Sequence, residues 1–206
     1  MLITDTNDRT RPESLWRAEQ RQTTGSTPPA NSVFFALYPD PCTARRLHRL
    51  AWHLRHKQGL NGRPLADRRL HVSLCNIGDY ARLTNEAAAA IDEAMATITM
   101  PPFLVAFNEA QSFSGGHKQP VVLVGDDGVA GLMLLQRELV AALDKTGIGR
   151  CKQRPYNPHV TLLYDERSIP DQPVAAISWV VREFVLVCSL QGQGRHVPLA
   201  RWPLRG

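Results

Sequence analysis

Two short segments constrain this chain more than anything else in it. The first reads Arg69-Leu70-His71-Val72-Ser73-Leu74, and the second Asn157-Pro158-His159-Val160-Thr161-Leu162. Each runs histidine, apolar, hydroxyl residue, apolar, within a short aliphatic and β-branched stretch of the kind that forms a strand. Side chains on a strand alternate between its two faces. His71 and Ser73 therefore share one face, with Val72 and Leu74 on the other, and His159 and Thr161 repeat this over Val160 and Leu162. By the same alternation Cys75 falls on the face of His71 and Ser73, where it reads as a packing residue. One strand histidine beside a serine is ordinary. Two copies, at positions 71 and 159 and so 88 apart, each sit near the middle of one half of a 206-residue chain, and they predict an internal pseudo-repeat.

The segments between them predict the scaffold. Val33 to Leu37 reads as a buried strand, stopped by Tyr38-Pro39. Asp40 to Lys57 reads as a helix with Leu47, Leu50, Ala51 and Leu54 inward. A second helix runs from Ala81 to about Ile98, with Leu83, Ala87, Ile91, Ala94 and Met95 on one side. Phe103 to Phe113 and Val121 to Val124 read as paired strands around Ser114-Gly115-Gly116. Val129 to Thr146 is a third helix, with Leu132, Leu135, Leu139 and Leu143 inward and Gly147 as its stop. Ser178 to Leu190 and His196 to Trp202 read as a closing hairpin around Gly192-Gln193-Gly194. The order of elements predicts α+β architecture, mostly antiparallel sheets with helices packed outside.

Composition narrows the class. Apolar residues make up 43% and charged residues 21% of the chain, an ordinary soluble balance. No apolar run reaches the eighteen or so residues of a spanning helix, and the N-terminus lacks an apolar leader, so a cytoplasmic protein with no membrane partner is expected. Cys42, Cys75, Cys151 and Cys188 are scattered without metal-ligand spacing and read as free, buried thiols. Residues 1–31 are polar and aperiodic and read as a disordered or loosely attached tail; residues 32–206 read as one two-lobed domain. The net charge of +5 is uneven. Arg45, Arg46, Arg49, Arg55, Lys57, Arg63, Arg68 and Arg69 face a single acid, Asp67, between positions 45 and 69, which leaves +7 there. That stretch runs straight into His71, so it is expected to border the site and favour a polyanionic substrate; the alternative is a solvated helix face.

The paired motifs resemble the signature of the two-histidine (2H) phosphoesterase superfamily, and within it the bacterial 2′-5′ RNA ligase / RNA 2′,3′-cyclic phosphodiesterase family. Ser32-Val33-Phe34-Phe35-Ala36-Leu37-Tyr38-Pro39 is similar to that family's first strand. Leu70-His71-Val72-Ser73-Leu74, running on to Ile77-Gly78, is similar to its first motif, and Pro158-His159-Val160-Thr161-Leu162-Leu163 to its second. The resemblance implies a bilobal, pseudo-symmetric fold, two mostly antiparallel sheets facing a central cleft with helices outside. It also implies His71 as general acid and His159 as general base, opening a terminal 2′,3′-cyclic phosphate on RNA to a 2′-phosphate.

The residue types suit that chemistry. In-line displacement at phosphorus needs a base for the attacking water and an acid for the departing oxygen, on opposite sides. Imidazole serves either role near neutrality. The hydroxyls of Ser73 and Thr161 can hold the non-bridging oxygens. No metal or other cofactor is expected, and a monomer acting on RNA ends is. A small cyclic nucleotide or a 2′-5′ linkage is the alternative substrate, and a non-catalytic RNA-binding module the alternative class. Arg154 and Tyr156, just before the second motif, and Tyr38, after the first strand, are candidate substrate contacts. His117 and His196 read as surface residues.

Overall fold

A computed structural model describes residues 31–79, 83–114, 116–148 and 155–206. The tail but for Asn31, the expected helix start at Ala81, Gly115, Cys151 and Arg154 lie outside the described residues. In chain order the elements are β1 (Ser32–Leu37), α1 (Pro41–Lys57), β2 (Val72–Asp79), α2 (Asn85–Ala96), β3 (Phe103–Ser112), β4 (Gln119–Val124), α3 (Ala130–Asp144), β5 (His159–Asp165), β6 (Gln172–Val181), β7 (Glu183–Leu190) and β8 (Arg195–Pro203).

The strands form one antiparallel sheet in the order β6-β3-β4-β5-β2-β1-β7-β8. Its centre is thin. β2 and β5, the two motif strands, pair through Val72 and Val160 alone, whereas every neighbouring pair is laced over several residues. The expected two sheets are therefore two four-stranded halves of a single sheet, joined edge to edge at one residue pair. The repeat is visible in each half: β1-α1-β2 and β4-α3-β5 are both strand, helix, antiparallel strand, and the motif strand comes last in each.

Helices hold the halves together. α1 follows β1 but packs on β5 and β6, and α3 packs on β2 and β3. Each is cut for that role by sequence. Asp40 caps α1, accepting from the backbone of Cys42 and Thr43 (2.9 and 3.0 Å) and from the Thr43 hydroxyl, with Pro41 in the first turn. Leu132, Leu135, Leu139 and Leu143 of α3 are fully buried, and each such side chain contributes about 1.5–3 kcal/mol by leaving water. Gly147 takes φ 68 just after α3, a left-handed stop that glycine adopts without strain. Val72 and Val160 belong to the same core as these helix residues. The helices thus cover one face of the sheet, and the motif histidines stand on the other.

Three expectations need correction. Strict alternation fails on both motif strands at the same place. β1 pairs with β2 through Ala36–Ser73 and then Phe35–Cys75, and β4 pairs with β5 through Val122–Thr161 and then Val121–Leu163. One residue, Leu74 or Leu162, is bulged out of register directly after each hydroxyl residue. Cys75 is thereby turned to the core side with Phe35, away from His71 and Ser73, and it is disulfide-bonded, not a free thiol. Second, the run read as one strand from Ser178 to Leu190 breaks at Arg182. Its first part belongs to β6, beside β3, and β7 pairs with β8; the charged pair Arg182-Glu183 marks the break, but with no Gly, Pro or Asn there the two apolar runs read as one strand. Third, α2 begins only at Asn85, capped by the Thr84 hydroxyl on Ala87 N (3.2 Å).

The loop before β2 is pinned by the end of β5. Asp165 is buried there and takes backbone N–H groups of Gly62 and Arg167. Burial pushes its carboxyl up, but the N–H groups of Arg167, Gly62 and Asn61 outweigh this and hold it below the usual value. Gly62 lies so close that an added Cβ would sit 2.0 Å from the Tyr164 carbonyl oxygen. Gly62→Ala is expected to lower stability by about 1–3 kcal/mol, read as a shifted urea midpoint with unchanged slope.

Candidate active site

The single bridge fixes what faces what. With Val72 opposite Val160 in antiparallel register, one step either way sets His71 across from Thr161 and Ser73 across from His159. Both valines are fully buried on the helix-covered face, so the two imidazoles and two hydroxyls gather on the open face, across the seam between the halves. The four motif residues read from the sequence are all brought together here.

Each imidazole is oriented by its own backbone. His71 Nδ1 lies 2.6 Å from the carbonyl oxygen of Arg69, and His159 Nδ1 2.7 Å from that of Asn157. In both copies the carbonyl belongs to the residue two positions earlier. A carbonyl only accepts, so Nδ1 carries the proton and Nε2 is left as the working nitrogen. His71 Nε2 is 3.1 Å from Ser73 Oγ, where it accepts from the hydroxyl. Burial is the main cause that holds the pKa of both rings below 6.5. The carbonyl bonds oppose it, and for His71 the charges of His159 and Arg69 lower it further.

The rings around the two histidines differ. His71 is surrounded by Phe34 (centres 5.2 Å apart), Tyr38 (5.9 Å) and His196 (5.0 Å, edge-on). His159 meets Phe113 edge-on at 4.9 Å. Tyr38 thus stands beside His71, and its hydroxyl lies 3.1 Å from His196 Nδ1. Burial pushes that phenol up to about 12, against the lowering charges of Arg201 and Arg69.

Tyr156 has a different place from the one expected. Its hydroxyl donates to the Ser73 carbonyl oxygen at 3.1 Å, and its ring packs on the main core, so it ties the second motif's approach to the first motif's strand. His196, read as a surface residue, stands in the site. β8 pairs with β7 through His196–Ser189, the same face as Phe34, a register that a bulge at Leu199 hides from simple alternation. His117 is exposed as expected.

The basic stretch does not border the site as a whole. α1 packs on the helix-covered face, and Arg45, Arg46, Arg49 and Lys57 are exposed on it. Arg55 is occupied by the Gly62 carbonyl (3.1 Å) and the Trp52 ring. Arg69, at the end of the short 3-10 turn Asp67–Arg69, is the member whose charge reaches Tyr38, His71 and His196. Among the described residues no group of three or more His, Cys, Asp or Glu side chains is placed to hold a metal ion.

A family model described as the 2′-5′ RNA ligase superfamily matches residues 39–192. The RNA 2′,3′-cyclic phosphodiesterase of Escherichia coli K12 is 29% identical over 178 residues, 84% of this chain and 96% of that protein. A solved structure described as a phosphoesterase superposes with a TM-score of 0.71 at 27% identity, covering 86% of this chain and all of the other. E. coli LigT complexed with 3′-AMP gives a TM-score of 0.70, again at 27% identity and with the same coverage.

The site's geometry has a consequence for acid stability. His71, His159 and His196 all bind protons more weakly when folded than at the ordinary value of 6.5, and His196 falls to about 4. Below 6.5 the unfolded chain therefore holds more protons, and stability falls as pH drops through the folded values. Imidazole NMR titration is expected to place all three midpoints under 6.5, that of His196 at about 4, and denaturant melts to show stability declining over the same range.

Proposed function

The chain belongs to the 2′-5′ RNA ligase superfamily, and from that premise we propose that it is a phosphodiesterase that opens the 2′,3′-cyclic phosphate at RNA ends to a 2′-phosphate. The observation that carries the reading is the pair of imidazoles, each with Nδ1 on a carbonyl two residues back so that Nε2 is the unprotonated nitrogen, set with a hydroxyl apiece across one seam. The name of the E. coli relative supplies the substrate.

In this reading the cyclic phosphate sits over the seam between the two Nε2 atoms. His159 Nε2 takes a proton from water as the water oxygen attacks phosphorus. The bond from phosphorus to O3′ breaks in line, and O3′ takes the proton carried by His71 Nε2. The product is a 2′-phosphate with a free 3′-hydroxyl. Ser73, released from His71 Nε2 once that atom is protonated, turns its hydroxyl to a non-bridging oxygen, and Thr161 holds the other from the opposite strand. Arg69 adds a positive charge on the His71 side. The steps need no metal ion, so chelation with EDTA leaves the rate unchanged.

A small cyclic nucleotide is the second reading, favoured by one observation: the basic face of α1 lies on the helix-covered side of the sheet, away from the imidazoles. The two substrates are separated by charge counting. If RNA beyond the last residue wraps to α1, Arg45→Gln with Arg49→Gln flattens the salt dependence of KM for an oligonucleotide. On the geometry described, that double variant is expected to leave both KM and its salt slope unchanged, with oligonucleotide and mononucleotide distinguished by contacts at the seam alone. A flattened slope would restore α1 as an RNA surface.

His71→Ala and His159→Ala are each expected to lower kcat by about 10²- to 10⁴-fold without unfolding the protein, and the double variant to lose far less than the product of the two. Near-normal turnover in either folded variant contradicts the assignment. The pH profile is a second check. One ring must be charged and the other neutral, and both bind protons weakly in the free protein. The bell for kcat/KM is therefore centred below pH 6.5, and bound phosphate, which favours the imidazolium, moves the kcat profile to higher pH. A kcat/KM profile flat from pH 5 to 8 rules out this pairing.

A further inference from the structure

His196 is the part of the site that the proposed reaction does not use. Its ring lies edge-on to His71 at 5.0 Å and edge-on to Phe34 at 5.5 Å, and its Nδ1 is 3.1 Å from the Tyr38 hydroxyl. Phe34 and Tyr38 in turn tilt against His71 by 39° and 37°. Three rings, Phe34 of β1, Tyr38 just after it and His196 of β8, thus wall one histidine, and the Tyr38–His196 hydrogen bond fixes the His196 ring in rotation.

We propose that His196, locked by Tyr38, is a positioning residue that holds the His71 ring in place and keeps water from it, so that His71 alone carries the mobile proton on its side of the seam. Tyr38 keeps its own proton, so its hydroxyl donates to His196 Nδ1, and the His196 proton then resides on Nε2. A second cation here would face the charge on His71 at ring-contact distance, with the Arg69 guanidinium also near. Burial first, and then those two charges, keep His196 neutral. The other charged groups around it do not offset this. Arg201 on β8 is paired with Glu183, Arg195 is the exposed neighbour in the chain, and Asp79 lies in the same row of the sheet but three strands away, beyond Ser189 and Ser32. A neutral ring beside an ionisable one removes the competition for a proton that two ordinary histidines at this distance would show. The two motif histidines have the same backbone setting, and this wall is what distinguishes them.

The inference takes its kinetic meaning from the reaction proposed above, but its first readout does not depend on that reaction. Imidazole NMR titrations of the full chain, with the His71 signal assigned by loss in His71→Gln, are compared in the parent, His196→Ala, His196→Phe and Tyr38→Phe. In His196→Ala water reaches His71, whose midpoint rises toward 6.5 while that of His159 stays in place. His196→Phe keeps the wall, and with it the His71 midpoint. With an RNA dinucleotide ending in 2′,3′-cyclic phosphate, His196→Ala is expected to lower kcat by about ten- to a hundredfold with little change in KM. His196→Phe should lose far less, and Tyr38→Phe should fall between them. A His71 midpoint unmoved in folded His196→Ala overturns the proposal. So does a His196→Phe variant as slow as His196→Ala with its His71 midpoint at the parent value, which would make His196 a group that touches substrate. If the parent protein turns over no cyclic phosphate, the reaction fails, and the titrations still decide the role of His196.

Discussion

Val72 and Val160 make the one strand pair on which the site rests. Each half of the sheet is laced internally over several residues, but at the seam a single pair sets register, and a slip by one residue would turn every motif side chain into the core. The register is protected from the other side. Both valines are fully buried, and α1 and α3 each leave one motif unit to pack on strands beyond it. A thin seam held by helices behind it leaves the front free of cross-strand partners, so the edges of β2 and β5 can present side chains to a ligand.

The same local device is used twice to aim the imidazoles. A carbonyl two residues back accepts a hydrogen bond from Nδ1–H and directs Nε2 outward. A bulge directly after the hydroxyl residue turns the following side chain to the core in each strand. Repetition alone would give two equivalent rings, which ill suits the proposed reaction, with an acid on one side and a base on the other. The surroundings break the equivalence: Phe34, Tyr38, His196 and Arg69 on the His71 side, Phe113 on the His159 side.

The motif residues were readable in the sequence because their pattern is local: period two, two copies, apolar anchors behind. The helix faces were equally plain, since Leu47, Ala51 and Leu54, and the leucines of α3, follow the helical period and are buried as that period requires. Long-range register was not readable. The doubled apolar residues Leu74-Cys75 and Leu162-Leu163 were the visible trace of the bulges, and reading straight through them put Cys75 on the wrong face. His196 was missed for the same reason, because its place depends on the pairing of β8 with β7. The basic stretch showed the limit of sequence proximity. Its last residue reaches the site, but the helix before it lies across the sheet, because a strand-helix-strand unit must put its helix on the core face to bury it.

The central claim is that one cyclic phosphate is opened between the two Nε2 atoms, with O3′ departing toward His71. Phosphorus NMR of the product from a 2′,3′-cyclic-phosphate RNA end, formed in water enriched in oxygen-18, tests it most directly. The account predicts a single 2′-phosphate carrying one oxygen from water. A 3′-phosphate, or a mixture of the two isomers, would contradict it.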